Sequence, residues 1–136
     1  MQTPYLGEGV EALVLDAREK ALLSLEAAVG RKGKEGLILE LRGLTDFADY
    51  FVIVTGETDV HIRAIADAVI DALEAAGEKP HHVEGYEDAR WVLIDCGDVI
   101  VHIFNPEFRE FYNLEGLWGD APVIARQEEE RIISTA

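Results

Sequence analysis

The sequence predicts an α/β domain, a mixed β-sheet of about five strands packed with α-helices. Three observations lead there. The stretch Arg90–Phe104 holds two almost continuously apolar runs, Trp91–Asp95 and Val99–Phe104, parted by Cys96-Gly97-Asp98. Two longer stretches, Val10–Val29 and Thr58–Ala76, repeat apolar residues at three- and four-residue steps. The elements follow one another as α-β-β-α-β-β-β-α, the order of a sheet with helices laid on it.

Met1–Gly9 has Pro4, two glycines and no period, so residues 1–9 read as a flexible lead-in. Residues 10–122 read as a single domain. In its first helix Val10, Leu13, Val14, Ala17, Ala21, Leu22, Leu25, Ala28 and Val29 line one face, and Glu11, Asp16, Arg18, Glu19, Lys20 and Glu26 take the other. Gly30 suits a C-cap, and Arg31, Lys32 and Lys34 sit beyond the negative end of the helix dipole. Gly36–Leu41 and Tyr50–Thr55 read as strands. Thr58 is an N-cap for the helix that runs to Ala76, with Gly77 closing it. Pro80–Val83 reads as a short edge strand, because proline donates no ladder hydrogen bond.

The two runs around Gly97 form a hairpin. Their continuous apolar character places them in the middle of the sheet, covered on both faces. Pro106 opens a helical turn, Glu107–Tyr112, and Leu114, Leu117 and Trp118 lie on a second short turn. Residues 123–136 are polar apart from Val123, Ile124, Ile132 and Ile133, and read as a partly disordered tail or a loosely docked helix.

Charge is the sharpest compositional fact. The chain carries 27 acidic and 12 basic residues, a formal charge of −15. A nucleic-acid binder needs a basic stripe to displace counterions from phosphates, so direct nucleic-acid binding is disfavoured. A basic protein partner suits the charge, and so does solubility alone. No apolar run is long enough for a membrane span, and no signal peptide precedes the first helix. The single Cys96 cannot staple the chain to itself, which leaves the cytosol as the expected location.

Candidate chemistry is sparse. Asp95 and Asp98 flank the hairpin turn and could share a magnesium ion with phosphates, but Asp caps such turns through its own backbone. Gly56-Glu57-Thr58 lies between a strand and a helix, where a nucleotidyltransferase holds triphosphate. The acidic pair that such an enzyme needs on a following strand is absent, and Glu57 adds negative charge. His81 and His82 point to opposite faces of a strand, His102 reads as a hydrogen-bonded core histidine, and Cys96 as a buried inert thiol. No metal ligand set, cofactor loop or nucleophile–base pair emerges. Aromatic residues gather toward the C-terminal end. Phe104 and Phe111 read as core, while Trp91, Tyr112 and Trp118 suit either core or interface.

Several runs together are highly specific. They are Asp46–Gly56, His61 with Ala64–Asp67, Glu84-Gly85, Trp91–Phe104 and Arg109–Ala121. Through them the chain, from about Val10 to Val123, resembles the ribosomal silencing factor (Iojap-like) family. Cys96 departs from the family, which often has a tyrosine or similar large residue there, and Glu57 replaces a usual small one. The resemblance implies a nucleotidyltransferase-like fold without the catalytic carboxylates, no enzyme activity and no cofactor. It implies binding to the large ribosomal subunit through its ribosomal protein fourteen, a basic protein. Bound there, the factor blocks joining of the small subunit and represses translation. A homodimer is implied for the free protein. The expected docking residues are Trp91, Asp95, Asp98, Arg109, Tyr112, Leu114 and Trp118. The competing reading is a nucleotide-using enzyme of nucleotidyltransferase type on the same fold, and a third is a generic acidic scaffold dimer.

Overall fold

Helix α1 (Ala17–Gly30) begins where Asp16 caps it. Asp16 Oδ1 accepts from the Glu19 amide at 2.8 Å, and Glu19 Oε1 accepts from the Asp16 amide at 3.0 Å. This reciprocal box satisfies two amides that a helix start leaves free. The computed structural model describes residues 14–135. The expected start at Val10 and the lead-in 1–9 therefore lie outside the described residues. Within them the expected helix is too long, since residues 14–16 are not helical and Val14, placed on the buried face, is 84% exposed.

The strands are β1 (Lys34–Glu40), β2 (Tyr50–Thr55), β3 (His82–Glu84), β4 (Trp91–Asp95), β5 (Val99–Phe104), β6 (Val123–Glu128) and β7 (Arg131–Ser134). They form one mixed sheet in the order β3-β4-β5-β2-β1-β6-β7. The α/β class and mixed sheet are as expected, but among the described residues there are seven strands. The pair β2–β5 is parallel, and the other pairs are antiparallel. Helix α2 (Asp59–Ala75) starts at Thr58, whose hydroxyl accepts from the His61 amide, and gives way at Gly77. Two short helices, α3 (Pro106–Tyr112) and α4 (Leu114–Leu117), follow β5.

Two expectations need correction. The hairpin β4–β5 is not the centre of the sheet: β2 occupies the middle, and β4 is next to the edge strand β3. Its apolar run has another cause. Val92 and Ile94 are fully buried, while Trp91, Leu93 and Asp95 alternate with them and stay half-exposed. The segment 123–136 is neither a helix nor a disordered tail in the part described. Strands β6 and β7 form a hairpin that extends the sheet beyond β1. Few apolar residues hold it: Ile124 and Ala125 are buried, and the ladder bonds do the rest. Gln127 assists by accepting from the Gly36 amide at 2.8 Å and donating to the Gly33 carbonyl at 2.9 Å.

Lys20 is also misplaced by periodicity. It sits in the core at 6% exposure, between Asp98 Oδ1 at 2.8 Å and Glu78 Oε1 at 3.1 Å. Burial opposes its charge, but the hydrogen bonds that Lys20 donates to Asp98 and Glu78, with their negative charges, outweigh that and raise its pKa. The contact joins α1, the end of α2 and the β4–β5 turn.

Candidate functional site

The sheet has two unlike faces. Helices α1 and α2 cover the first, where Ile38, Val52, Val54, Val92, Ile94, Val101 and Ile103 are fully buried. Only α3 and α4 cover the second. There Leu39, Phe51, Ile53 and Phe104 are buried beneath Phe108, Leu114 and Trp118, while Trp91 and Ile100 remain half-exposed.

The cover is built at one corner. Asn105 Oδ1 accepts from the Phe108 amide at 2.7 Å and starts α3, with Pro106 at its first turn. Asn113 adopts a left-handed backbone (φ 47°), which ends α3, and its Oδ1 accepts from the Gly116 amide to start α4. Asparagine tolerates that conformation better than most residues. Arg109 bolts the corner to the sheet. Its Nε and Nη2 reach Glu115 Oε2 at 3.1 and 2.7 Å, and its Nη1 donates to Thr55 Oγ1 at 2.9 Å.

So short a cover leaves apolar surface bare. Phe111 is 79% exposed, contrary to its reading as core, because α3 ends before anything can pack over it. Its ring stands edge-on to Tyr112 at 5.0 Å, and Tyr112 lies 4.7 Å from Trp91. A second cluster forms where the loop between β1 and β2 meets α4. Phe47 packs on Trp118 at 5.8 Å, and Leu44, Leu117 and Trp118 border a cavity of about 430 Å³ with Asp120 at its edge. Phe47, Leu44, Phe111 and Leu117 are exposed members of this surface that residue-by-residue reading missed. The available signal was Phe47 between Asp46 and Ala48, an aromatic residue in a polar turn.

The seven expected docking residues part into groups. Trp91, Asp95, Tyr112, Leu114 and Trp118 belong to the second face or its cover. Asp95 also caps its turn, accepting from the Gly97 amide at 2.8 Å. Asp98 turns away toward Lys20, and Arg109 is spent on Glu115 and Thr55. Beneath the surface, the Trp91 indole N–H donates to His102 Nδ1 at 3.1 Å. Burial pushes the His102 imidazole down to about 3, so the ring is neutral near pH 7. Burial pushes the Cys96 thiol up to about 11, which leaves it unreactive.

Beyond the ends of the parallel strands β2 and β5, where open α/β sheets receive ligands, lies a cavity of about 660 Å³. Glu35, Glu57, Glu110, Glu115 and Glu129 line it against two basic residues, Lys34 and Arg109, and the guanidinium of Arg109 is already paired. Phosphates are repelled by such a lining, which counts against the nucleotide reading. Among the described residues no three His, Cys, Asp or Glu side chains gather to hold a metal ion.

Fold and surface together define a mixed α/β protein whose notable feature is a half-covered apolar face, not a reaction centre. Residues 14–135 match the family described as ribosomal silencing factor during starvation. The chain belongs to the ribosomal silencing factor family, whose role is regulatory and not enzymatic. The ribosomal silencing factor RsfS of Bacillus subtilis is 41% identical over 107 residues, spanning 77% of this chain and 91% of that protein. Its counterpart in Halalkalibacterium halodurans is 40% identical over 117 residues, 86% of this chain and 97% of that one. A crystal structure of a Chromobacterium violaceum protein superposes with a TM-score of 0.76 at 35% identity, covering 77% of this chain and 88% of the other.

Proposed function

We propose that this protein binds the large ribosomal subunit through its ribosomal protein fourteen and thereby keeps the small subunit from joining. The observation that carries the reading is the aromatic surface around α3 and α4, bare on a chain of net charge −15. Aromatic anchors supply binding energy, and acidic residues around them favour a basic protein partner. Trp91, Tyr112, Leu114 and Trp118, with Phe47, Phe111 and Leu117, form the docking surface, and Asp95 lies at its border. Asp98 and Arg109 support it from behind through Lys20 and Glu115. The free protein is a homodimer and works in the cytoplasm, where ribosomes assemble.

Sedimentation with separated ribosomal subunits tests the reading. The protein is expected to travel with large subunits and not with small ones, and to lower subunit joining measured by light scattering. Trp118→Ala, confirmed as folded by circular dichroism, should weaken binding at least about thirtyfold, the equivalent of an anchor worth about 2 kcal/mol. Equal sedimentation with both subunits, or with neither, would remove the reading.

A further inference from the structure

His102 carries an oddity that the fold alone does not require. Its Nδ1 accepts from the Trp91 indole, so in the neutral ring the proton sits on Nε2. Among the described residues that Nε2 is buried with no hydrogen-bond partner. The ring is 3% exposed and stands at 69° to Phe51, with centroids 4.4 Å apart. A phenylalanine would fill the same apolar site with a slightly larger ring and leave no donor unsatisfied, and a buried unpaired N–H is costly. Only an acceptor at this position supplies the hold on the Trp91 N–H. That indole lies 4.9 Å from Phe104 on its inner side and 4.7 Å from the exposed Tyr112 on its outer side.

We infer that His102 is a positioning residue for the docking surface: its Nδ1 fixes the Trp91 indole in one orientation, and the indole in turn seats Tyr112. The inference rests on the docking reading of that face. An anchor held in place before contact loses less rotamer freedom on binding, so the hold appears as affinity and not as fold. His102 touches no partner itself. It acts through two rings, from the buried strand β5 out to the surface of α3.

Two substitutions separate this role from packing. His102→Phe keeps a planar aromatic ring, somewhat larger than imidazole, and removes the acceptor. His102→Asn puts a carbonyl oxygen near the position of Nδ1 and removes volume. Thermal unfolding, the two tryptophan indole cross-peaks in a ¹H–¹⁵N spectrum, and sedimentation with purified large subunits are measured on each, with Trp91→Phe assigning the Trp91 peak. His102→Phe is expected to melt no lower than wild type, to lose the shifted, slowly exchanging Trp91 peak, and to bind about tenfold more weakly. His102→Asn is expected to melt lower, keep the peak and bind within about twofold of wild type. Wild-type affinity in His102→Phe, or affinity that follows melting temperature across the variants, overturns the inference. Should the wild type not bind large subunits at all, the docking reading fails. The indole peak then decides alone, and its survival in His102→Phe overturns the positioning role.

Discussion

The two faces of one sheet are made by alternate residues of the same strands, yet they do different work. Val92 and Ile94 of β4 point into the core beneath α1 and α2, while Trp91, Leu93 and Asp95 point to the side that α3 and α4 cover in part. The first face is aliphatic apart from Tyr50 and is sealed by helices of 14 and 17 residues. The second is aromatic and carries helices of 7 and 4 residues. Aliphatic side chains interdigitate closely under long helices and give stability. Aromatic side chains, with few torsions and large area, suit a surface that waits for a partner. A continuous apolar run in sequence can therefore mean either burial on both sides or one buried side and one left half-covered.

A charge placed on each face separates these roles most sharply. Val101→Asp puts a carboxylate into the sealed face, where burial without a partner costs several kcal/mol. The variant is expected to be unfolded by circular dichroism at 25 °C. Leu93→Asp lies on the half-exposed face of the neighbouring strand, and its carboxylate can reach water. It is expected to fold with a loss of about 1–2 kcal/mol, read from urea unfolding. Equal outcomes for the two would mean that both faces are closed. Arg109→Ala comes next. It frees Glu115 and Thr55 and loosens the corner of α3 and α4, for about 2 kcal/mol, less than a fully buried pair because Glu115 is about a third exposed. Arg109→Lys should restore little of this, since a lysine cannot span both partners at once.

The second face also carries a buried group that titrates below neutral pH. The unfolded chain takes a proton on His102 near 6.5, and the folded chain only near 3, because the ring is buried. Below pH 6.5 the unfolded state thus binds more protons, and stability falls as pH drops toward the folded value. The limiting slope is about 1.4 kcal/mol per pH unit. Between pH 6.5 and 5, above most carboxylate titrations, wild type should lose about 1–2 kcal/mol that His102→Phe keeps. Parallel urea midpoints for the two proteins across that window would show that His102 does not control it.

Sequence reveals the first face more readily than the second. Strands β2, β4 and β5 lie at the residues read for them, and Thr58 caps α2 as its position implies. These follow from local chemistry: apolar runs, capping oxygens and glycine stops. Features set by distant partners are not local. Lys20 looks like a solvent residue because its partners, Glu78 and Asp98, lie 58 and 78 residues away. The strands β6 and β7 look like a polar tail because the neighbouring β1 supplies what their side chains do not. Phe111 looks like core because hydropathy cannot tell that α3 ends two residues later at a left-handed asparagine. For the site, the gathering of aromatics toward the C-terminal end drew attention to Trp91, Tyr112 and Trp118. Which side chains meet there, and which are tied up behind, depends on the corner at Asn113 and on the Arg109 bridge.

Phe111 gives the smallest effect on the fold and so the cleanest test of the contrast. Its ring touches Tyr112 on one side, and most of it faces solvent. Replacing it with serine removes little buried area, so stability should change by no more than about 0.5 kcal/mol. Solubility should improve, because an exposed phenylalanine beside exposed Tyr112 is an adhesive patch. If the second face is a docking surface, the same substitution should weaken sedimentation with large subunits by about tenfold, since an aromatic ring buried on contact is worth well over 1 kcal/mol. A substitution of similar exposure away from that face provides the control. Val60→Ser on α2, also exposed, should leave both stability and binding unchanged. If Phe111→Ser and Val60→Ser bind alike, the bare aromatics of α3 serve something other than the ribosome.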